Sequence, residues 1–262
     1  TCRPCGLRPE AAMTAYYAQR LSARRLAACY ELAGPRMRRY LEQEIGHLLE
    51  RVSHGVEVLE LGCGYGRVTL RLAAAGAQVV GIDVADESLL LAREQAAAAG
   101  LAGRCRYLTM DATALDFDDE SFDVVACVQN GIAAFRVDRK RLVAEAWRVL
   151  RPGGRLLLST YAEAIWPERL AWFEAQAAQG LLGTVDRVAS RDGVVVCADG
   201  FRSGRASAAD LAALAEGLGV QPCIEEIDTS SLWCEMRKPH TAVHSSSTGA
   251  ALPHRPTGDR RP

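Results

Sequence analysis

The sequence predicts an α/β protein built on a doubly wound parallel sheet, and three observations carry that expectation. Between residues 56 and 160, short apolar runs alternate with segments of helical pattern. The first run, Val56-Glu57-Val58-Leu59-Glu60-Leu61, passes into Gly62, Gly64 and Gly66 and then into an amphipathic stretch, residues 68–75. That succession reads as buried strand, tight turn and helix. With 262 residues, 49% of them hydrophobic, the chain can bury one full core.

Residues 1–12 read as an extension ahead of Met13, expected to be disordered. A helical cap, residues 13–54, follows. Tyr17, Leu21, Arg24 and Ala28 share one face, and Gly34-Pro35 breaks the run before a second helix over 36–51. Tyr16, Tyr17 and Tyr30 can line a pocket or pack this cap onto the core. In the core, residues 55–160, strands are expected over 56–61, 78–83, 104–110, 122–128 and 155–160, with helices over 66–75, 87–99 and 137–149. The helix after the second strand should be capped from Asp83 or Asp86 and stop at Gly100. Residues 111–121 form an acid-rich loop, and Pro152-Gly153-Gly154 should turn the chain into the fifth strand.

At residue 161 the alternation stops. Trp166, Leu170, Trp172 and Phe173 mark an aromatic helix, and residues 180–204 read as irregular or hairpin structure around 193–197. We read 161–206 as an insertion that walls a substrate pocket. In the closing segment, 207–238, Ser207 caps a helix over 208–218 that ends at Gly219, and strands are expected over 223–228 and 231–237. Residues 239–262 have almost no apolar content and should be disordered.

Composition excludes several classes. A formal net charge of −1 suggests neither a nucleic-acid partner nor a membrane surface. No apolar run is long enough to span a bilayer, and no charged-then-apolar leader opens the chain, so we expect a cytoplasmic protein without membrane insertion, as a monomer or homodimer. Nine cysteines, an odd count with several in strands, read as reduced buried thiols. Cys2-x-x-Cys5 has no second Cys or His pair near it, so no metal site is expected. The 29 arginines against two lysines reflect coding bias more than recognition.

The glycine turn is where chemistry concentrates. Glycine allows a positive φ and lets a ligand approach the backbone closely, which suits a nucleotide-like molecule. A dinucleotide fingerprint fails because Arg67 stands where its third glycine should be. Glu60 would also repel a pyrophosphate, whereas it suits an ammonium or sulfonium. The pattern Glu60-x-Gly62-Cys63-Gly64-x-Gly66 resembles motif I of the class I S-adenosylmethionine-dependent methyltransferases. Over residues 40–238 or so the chain looks most like the group that includes ubiquinone and menaquinone biosynthesis methylases. The resemblance implies a Rossmann-like seven-stranded sheet, an N-terminal helical cap and an insertion after the fifth strand. It also implies S-adenosyl-L-methionine as cofactor and a small-molecule acceptor.

By the same resemblance Glu60 and the 62–66 turn (Gly62, Gly64, Gly66) hold the methionine part, and Asp83 accepts from the ribose hydroxyls. Val84, Asp111, Ala112 and Val128 surround the adenine side. The acceptor should lie over Gln129 and Asn130, with Tyr17 and Tyr161 and the insertion's Trp166 and Trp172 to orient it. No Asn/Asp-Pro-Pro-aromatic sequence follows the fourth strand, which argues against base methylation, and Gln129-Asn130 are not the acids of a metal-dependent enzyme. Three of the five histidines lie beyond Lys238, and His47 and His54 read as surface or cap residues, so no general base stands out. Two rivals are a thiol or arsenite-like metalloid methylase using Cys127, Cys197 and Cys234, and a non-catalytic cofactor-binding module. A nicotinamide-dependent oxidoreductase is disfavoured by Glu60 and Arg67.

Overall fold

A computed structural model describes residues 16–240. The expectations for the N-terminal extension and the C-terminal tail lie outside these residues, apart from the tail's first two. The elements are α1 (Ala23–Glu31), α2 (Pro35–Leu49), β1 (Glu57–Leu61), α3 (Arg67–Ala74), β2 (Gln78–Asp83), α4 (Asp86–Ala98), β3 (Cys105–Thr109), β4 (Phe122–Cys127), α5 (Gly131–Ala134), α6 (Arg139–Val149), β5 (Leu150–Tyr161), α7 (Trp166–Ala178), β6 (Val195–Val196), β7 (Arg202–Ser203), α8 (Ala208–Glu216), β8 (Cys223–Ile227) and β9 (Ser231–Arg237).

Seven strands form one sheet in the order β3-β2-β1-β4-β5-β9-β8. The first five run parallel, and β9 and β8 are antiparallel additions. Period-2 alternation sorts the side chains onto two cores. Leu59, Leu61, Val125, Cys127, Leu156 and Leu158 pack under α6 and α8. Val58, Val124, Ala126 and Leu157 pack under α2 and α3 with Ile45, Leu48, Val68 and Leu72. By parity Glu60 shares the second face with Val58, which aims its carboxyl at the α3 side of the strand end. The strand order reverses between β1 and β4, and a crevice opens there at the carboxyl ends.

Several boundaries differ from expectation. β5 begins at Leu150 rather than 155, because Pro152-Gly153-Gly154 forms a bulge in the strand instead of a turn ahead of it. A Cβ on Gly154 would lie 2.7 Å from the Asp123 carbonyl. The expected cap of α4 is also corrected: its N-cap is Ala85, which has no capping side chain, and Asp83 accepts from the Ala85 N–H at 3.0 Å. The hairpin in the insertion pairs β6 with β7, and one unforeseen turn of helix, α5, follows β4. Ser207 caps α8 as expected, in a reciprocal box with Asp210.

The helical cap and the insertion pack on each other. Tyr16, Leu21 and Cys29 share a cluster with Phe173, Val195, Cys197 and Phe201. Met37, Tyr40 and Leu41 share another with Tyr161, Ile165 and Trp172. Two long-range bonds tie the layer down: Trp172 Nε1 donates to Cys29 O at 2.8 Å, and the Tyr16 hydroxyl to Asp199 at 2.6 Å.

Candidate functional site

A deep cleft lies between the strand ends and this covering layer, and its empty space is about 1440 Å³ with the open mouth included. Most of the residues singled out in the sequence line it: Glu60, Gly62, Gly64, Asp83, Val84, Asp111, Ala112, Val128, Gln129, Asn130, Tyr17 and Tyr161.

Glu60, next to last in β1, is buried, its Oε2 accepting from the Thr69 hydroxyl of α3. Burial pushes its carboxyl up to about 7, opposed by Thr69 and the nearby Arg67. Gly62 has a φ of +73°, and a Cβ there would lie 2.1 Å from Cζ of Phe135, so only glycine lets this ring close over the turn. Gly66 turns the other way. Its missing Cβ faces Tyr107 and Ala92, and it starts α3 without lining the cleft. Asp83 bridges two loops, accepting from Gly64 N at 2.9 Å and from Ala85 N at 3.0 Å. Each of its oxygens keeps a further lone pair for a ligand. Asp111 is exposed, and one of its oxygens holds the Thr113 N–H and hydroxyl.

At the end of β4 the backbone is strained. Gln129 and Asn130 both adopt left-handed φ, +55° and +68°. The strain is held from several sides. Gln129 N donates to Glu44 Oε2 and to Ser159 Oγ, each at 2.8 Å. Asn130 accepts from Thr160 Oγ1 at 2.8 Å and donates to Gly204 O at 3.1 Å, which joins the turn to the insertion. Glu44 itself is fully buried on α2, accepts also from Ser231 Oγ, and is pushed up to about 7 by burial.

Four residues that bear on the site escaped the sequence reading. Glu44 anchors the strained turn, and Arg67 lies 4.8 Å over the Tyr30 ring with buried Nε and Nη2 lacking partners. Gln176 lines the cleft, and Arg169 lies behind Tyr161. Conversely, Tyr16 and Trp166 pack the covering layer without lining the cleft. His47 stacks edge-on against Trp233 and sits 2.9 Å from Glu225, away from the cleft.

The three-cysteine arrangement needed for a metalloid methylase is absent among the described residues. Cys127 and Cys234 are separated by β5, both in register with Leu158, and Cys197 lies in the insertion. Two strand spacings amount to about 9–10 Å, too far to share one ligand. No cluster of three metal-ligating side chains occurs among the described residues. The seven described cysteines are free, and burial pushes Cys197 up to about 11 and Cys29 and Cys234 up to about 12, which leaves them protonated thiols.

The fold is shared with known proteins. Residues 58–154 match the family model described as a methyltransferase domain. Over these residues the chain is similar to class I S-adenosylmethionine-dependent methyltransferase domains. Among curated relatives it is 37% identical over 128 residues to methyltransferase GfsG of Streptomyces halstedii, a match that covers 48% of this chain and 44% of that one. To the demethylmenaquinone methyltransferase of Thermus thermophilus it is 43% identical over 103 residues, covering 38% and 45%. The chain thus spans less than half the length of these relatives. Of solved structures, the PH0226 protein from Pyrococcus horikoshii superposes with a TM-score of 0.62 at 20% identity, covering 89% of this chain and 100% of that one, which speaks for the fold. No helix among the described residues is long and apolar enough to cross a membrane.

Proposed function

We propose that the domain transfers a methyl group from S-adenosylmethionine to a small-molecule acceptor. The observation that carries this reading is the line of acids at three successive strand ends, Glu60, Asp83 and Asp111, along one side of the cleft. The residues present fit the donor. Glu60 is a buried carboxyl held near neutrality for want of a strong cationic partner, which an ammonium or sulfonium would be. Asp83 offers two oxygens to a pair of ribose hydroxyls, with Val84, Ala112 and Val128 as apolar surface for the adenine and Asp111 near its amino group. The Gly62 and Gly64 backbone lies open to close approach. When bound, the donor supplies a methyl carbon on a positively charged sulfur, a good leaving group.

The protein's part is positioning, which can lower the barrier by roughly 7–11 kcal/mol. The rigid turn at Gln129 and Asn130 forms the edge over which the acceptor is held, and the insertion, residues 161–206, forms its wall. Burial raises the Tyr17, Tyr30 and Tyr161 phenols, so at neutral pH they serve as hydrogen-bonding groups and not as bases. The open acceptor half speaks against a purely non-catalytic binding module. Near-neutral charge favours a small molecule over nucleic acid, and free thiols fit a reducing compartment such as the cytoplasm. Titration calorimetry tests the reading: the wild type should bind S-adenosylmethionine, and Asp83→Ala should bind it at least tenfold more weakly. No binding by the wild type, or undiminished binding by the variant, overturns it.

A further inference from the structure

Residues 16–31 cross the cleft opposite the glycine turn, and Tyr17, Leu21, Leu26, Cys29 and Tyr30 line it from this side. Leu26 reaches furthest toward the donor half, since a Cβ on Gly64 would lie 3.1 Å from its Cδ2. The segment is fastened on two sides, and the fastenings differ in kind. Toward the insertion it is held by burial in the cluster around Phe173 and Phe201 and by several hydrogen bonds. The Tyr16 hydroxyl donates to Asp199 at 2.6 Å and Trp172 Nε1 to Cys29 O at 2.8 Å. Arg25 Nη2 adds bonds to the carbonyls of Gly180 and Leu181, at 2.9 and 3.0 Å, where α7 has ended.

Toward α4 the fastening is slighter. Ser22 Oγ donates to Glu87 Oε2 at 2.8 Å, and the Ala23 N–H donates to Ser88 Oγ at 2.7 Å. Ser22 holds the N-cap position of α1, yet its hydroxyl reaches across to α4 and makes no cap bond. Ser88 is buried and lines the cleft with Asp83, Val84 and Ala85, so this contact closes the cleft over the side assigned to the nucleoside. Ala23, the first residue of α1, has a left-handed φ of +48°. An alanine keeps such a conformation only where surrounding contacts offset its cost, and here those contacts are the two bonds to α4. Closure on this side is thus a balance between two hydrogen bonds and the strain they hold. On the insertion side buried rings add to the bonds, and no residue opposes them with a strained backbone among those named.

We propose that residues 16–31 form a strap whose latch, Ser22 and Ala23, opens from Glu87 and Ser88 to let the donor enter and leave, while the insertion side stays fastened and serves as the hinge. The inference rests on the methyl-transfer reading above. Ser22 and Glu87 do not line the cleft, so they act on the donor only through the strap. That gives the latch a kinetic signature. In a strap that is mostly closed, a weaker latch raises the open fraction of the free protein and the opening of the loaded one by the same factor. Entry and release then speed up together, and their ratio, the Kd, stays where it was. Loss of a group that touches the donor raises the Kd instead.

The test is stopped-flow binding and release of S-adenosylhomocysteine on the full chain, followed by tryptophan fluorescence, for which Trp172 lines the cleft. In Ser22→Ala and Glu87→Gln both rates should rise about two- to tenfold, the strength of one such hydrogen bond, with the Kd moved by less than about twofold. Ala23→Val should act in the same direction, because a β-branched side chain tolerates a left-handed φ less well than alanine. Should Ser22→Ala fail to fold, Glu87→Gln, at an exposed position, carries the same test. Hydrogen exchange of the ligand-free protein supplies a second readout. The Ala23 amide should exchange faster than the amides of β1, and faster still in Glu87→Gln, while β1 keeps its rates. Unchanged rates in all three variants, a Kd that rises in step with the release rate, or an Ala23 amide as protected as those of β1 overturns the proposal. The exchange needs no ligand, so it separates failure of the latch from failure of the methyl-donor reading.

Discussion

Glu60→Gln isolates the interaction to which we assign recognition of the donor's cationic end. The carboxyl is buried, takes one hydroxyl hydrogen bond from Thr69, and has been pushed up to about 7 by burial. A hydrogen bond to a charged group contributes about 1.5–3 kcal/mol, and 1.4 kcal/mol is tenfold in affinity, so the amide should weaken S-adenosylmethionine about 10- to 150-fold. The pH dependence is more diagnostic than the magnitude. In the free protein Glu60 carries a proton below pH 7 and must release it to pair with a cation. Affinity should therefore rise with pH between 5.5 and 7 and level off above, by about tenfold per unit and about 30-fold in all. Calorimetry between pH 5.5 and 7.5, in buffers of different ionisation enthalpy, reads both the affinity and the proton released. The window stays below the ligand's own α-amino titration, near pH 8 or so. Asp83 is also raised by burial, but it is assigned to uncharged hydroxyls, and the variant leaves it in place. Affinity independent of pH in the wild type, or an undiminished slope in Glu60→Gln, would refute the reasoning.

Two further predictions concern the scaffold. Glu44 has a folded-state pKa of about 7 against an ordinary 4.5, so the folded state holds its proton where the unfolded chain has lost it. Stability should fall by roughly 3 kcal/mol as pH rises from about 4.5 to 7 and then level off, and Glu60 adds a term of the same sign. Urea melts at pH 5.5 and 8 should show a loss of about 2 kcal/mol from each of the two carboxyls, and Glu44→Gln should shrink the difference by about half; an unchanged difference counts against the buried carboxyl as its source. Gly62→Ala should displace the Phe135 ring, 2.1 Å from the new Cβ, and weaken donor binding more than tenfold. Gly100→Ala, at a φ of +70° with nothing within 4 Å, should cost only the left-handed strain of about 1 kcal/mol and leave donor binding intact.

That Glu60, Asp83 and Asp111 line one cleft was legible because each stands at or just beyond a strand end. A period-2 apolar run fixes which residue is last, and parallel strands bring those last residues to one edge. Glu60, Asp83 and Asp111 lie far apart in sequence, yet the sheet topology alone places them along one line. The failures have local causes. Gly66 shares the glycine spacing of its neighbours, but its conformation directs the missing side chain at Tyr107 and not at a ligand. The β5 start was misjudged because Pro-Gly-Gly reads as a turn, whereas the β4–β5 register tolerates a bulge there.

The acceptor side was less legible, although its signal was present in the helices. On α2 the buried stripe is Met37, Tyr40, Leu41, Glu44, Ile45 and Leu48, and Glu44 sits within it at helical spacing. On α7 Arg169, Trp172, Phe173 and Gln176 form a similar stripe. A charged or amide side chain inside an apolar stripe must be satisfied by something from another part of the chain or by a ligand. Glu44 is satisfied by Gln129, Ser159 and Ser231, so its role is to hold the turn at the end of β4. Gln176 and the Nε of Arg169 find no such partner. The same pattern in two helices thus divides by its hydrogen-bond balance: Glu44 is satisfied from three other segments, whereas Gln176 Nε2 and Arg169 Nε are left without partners.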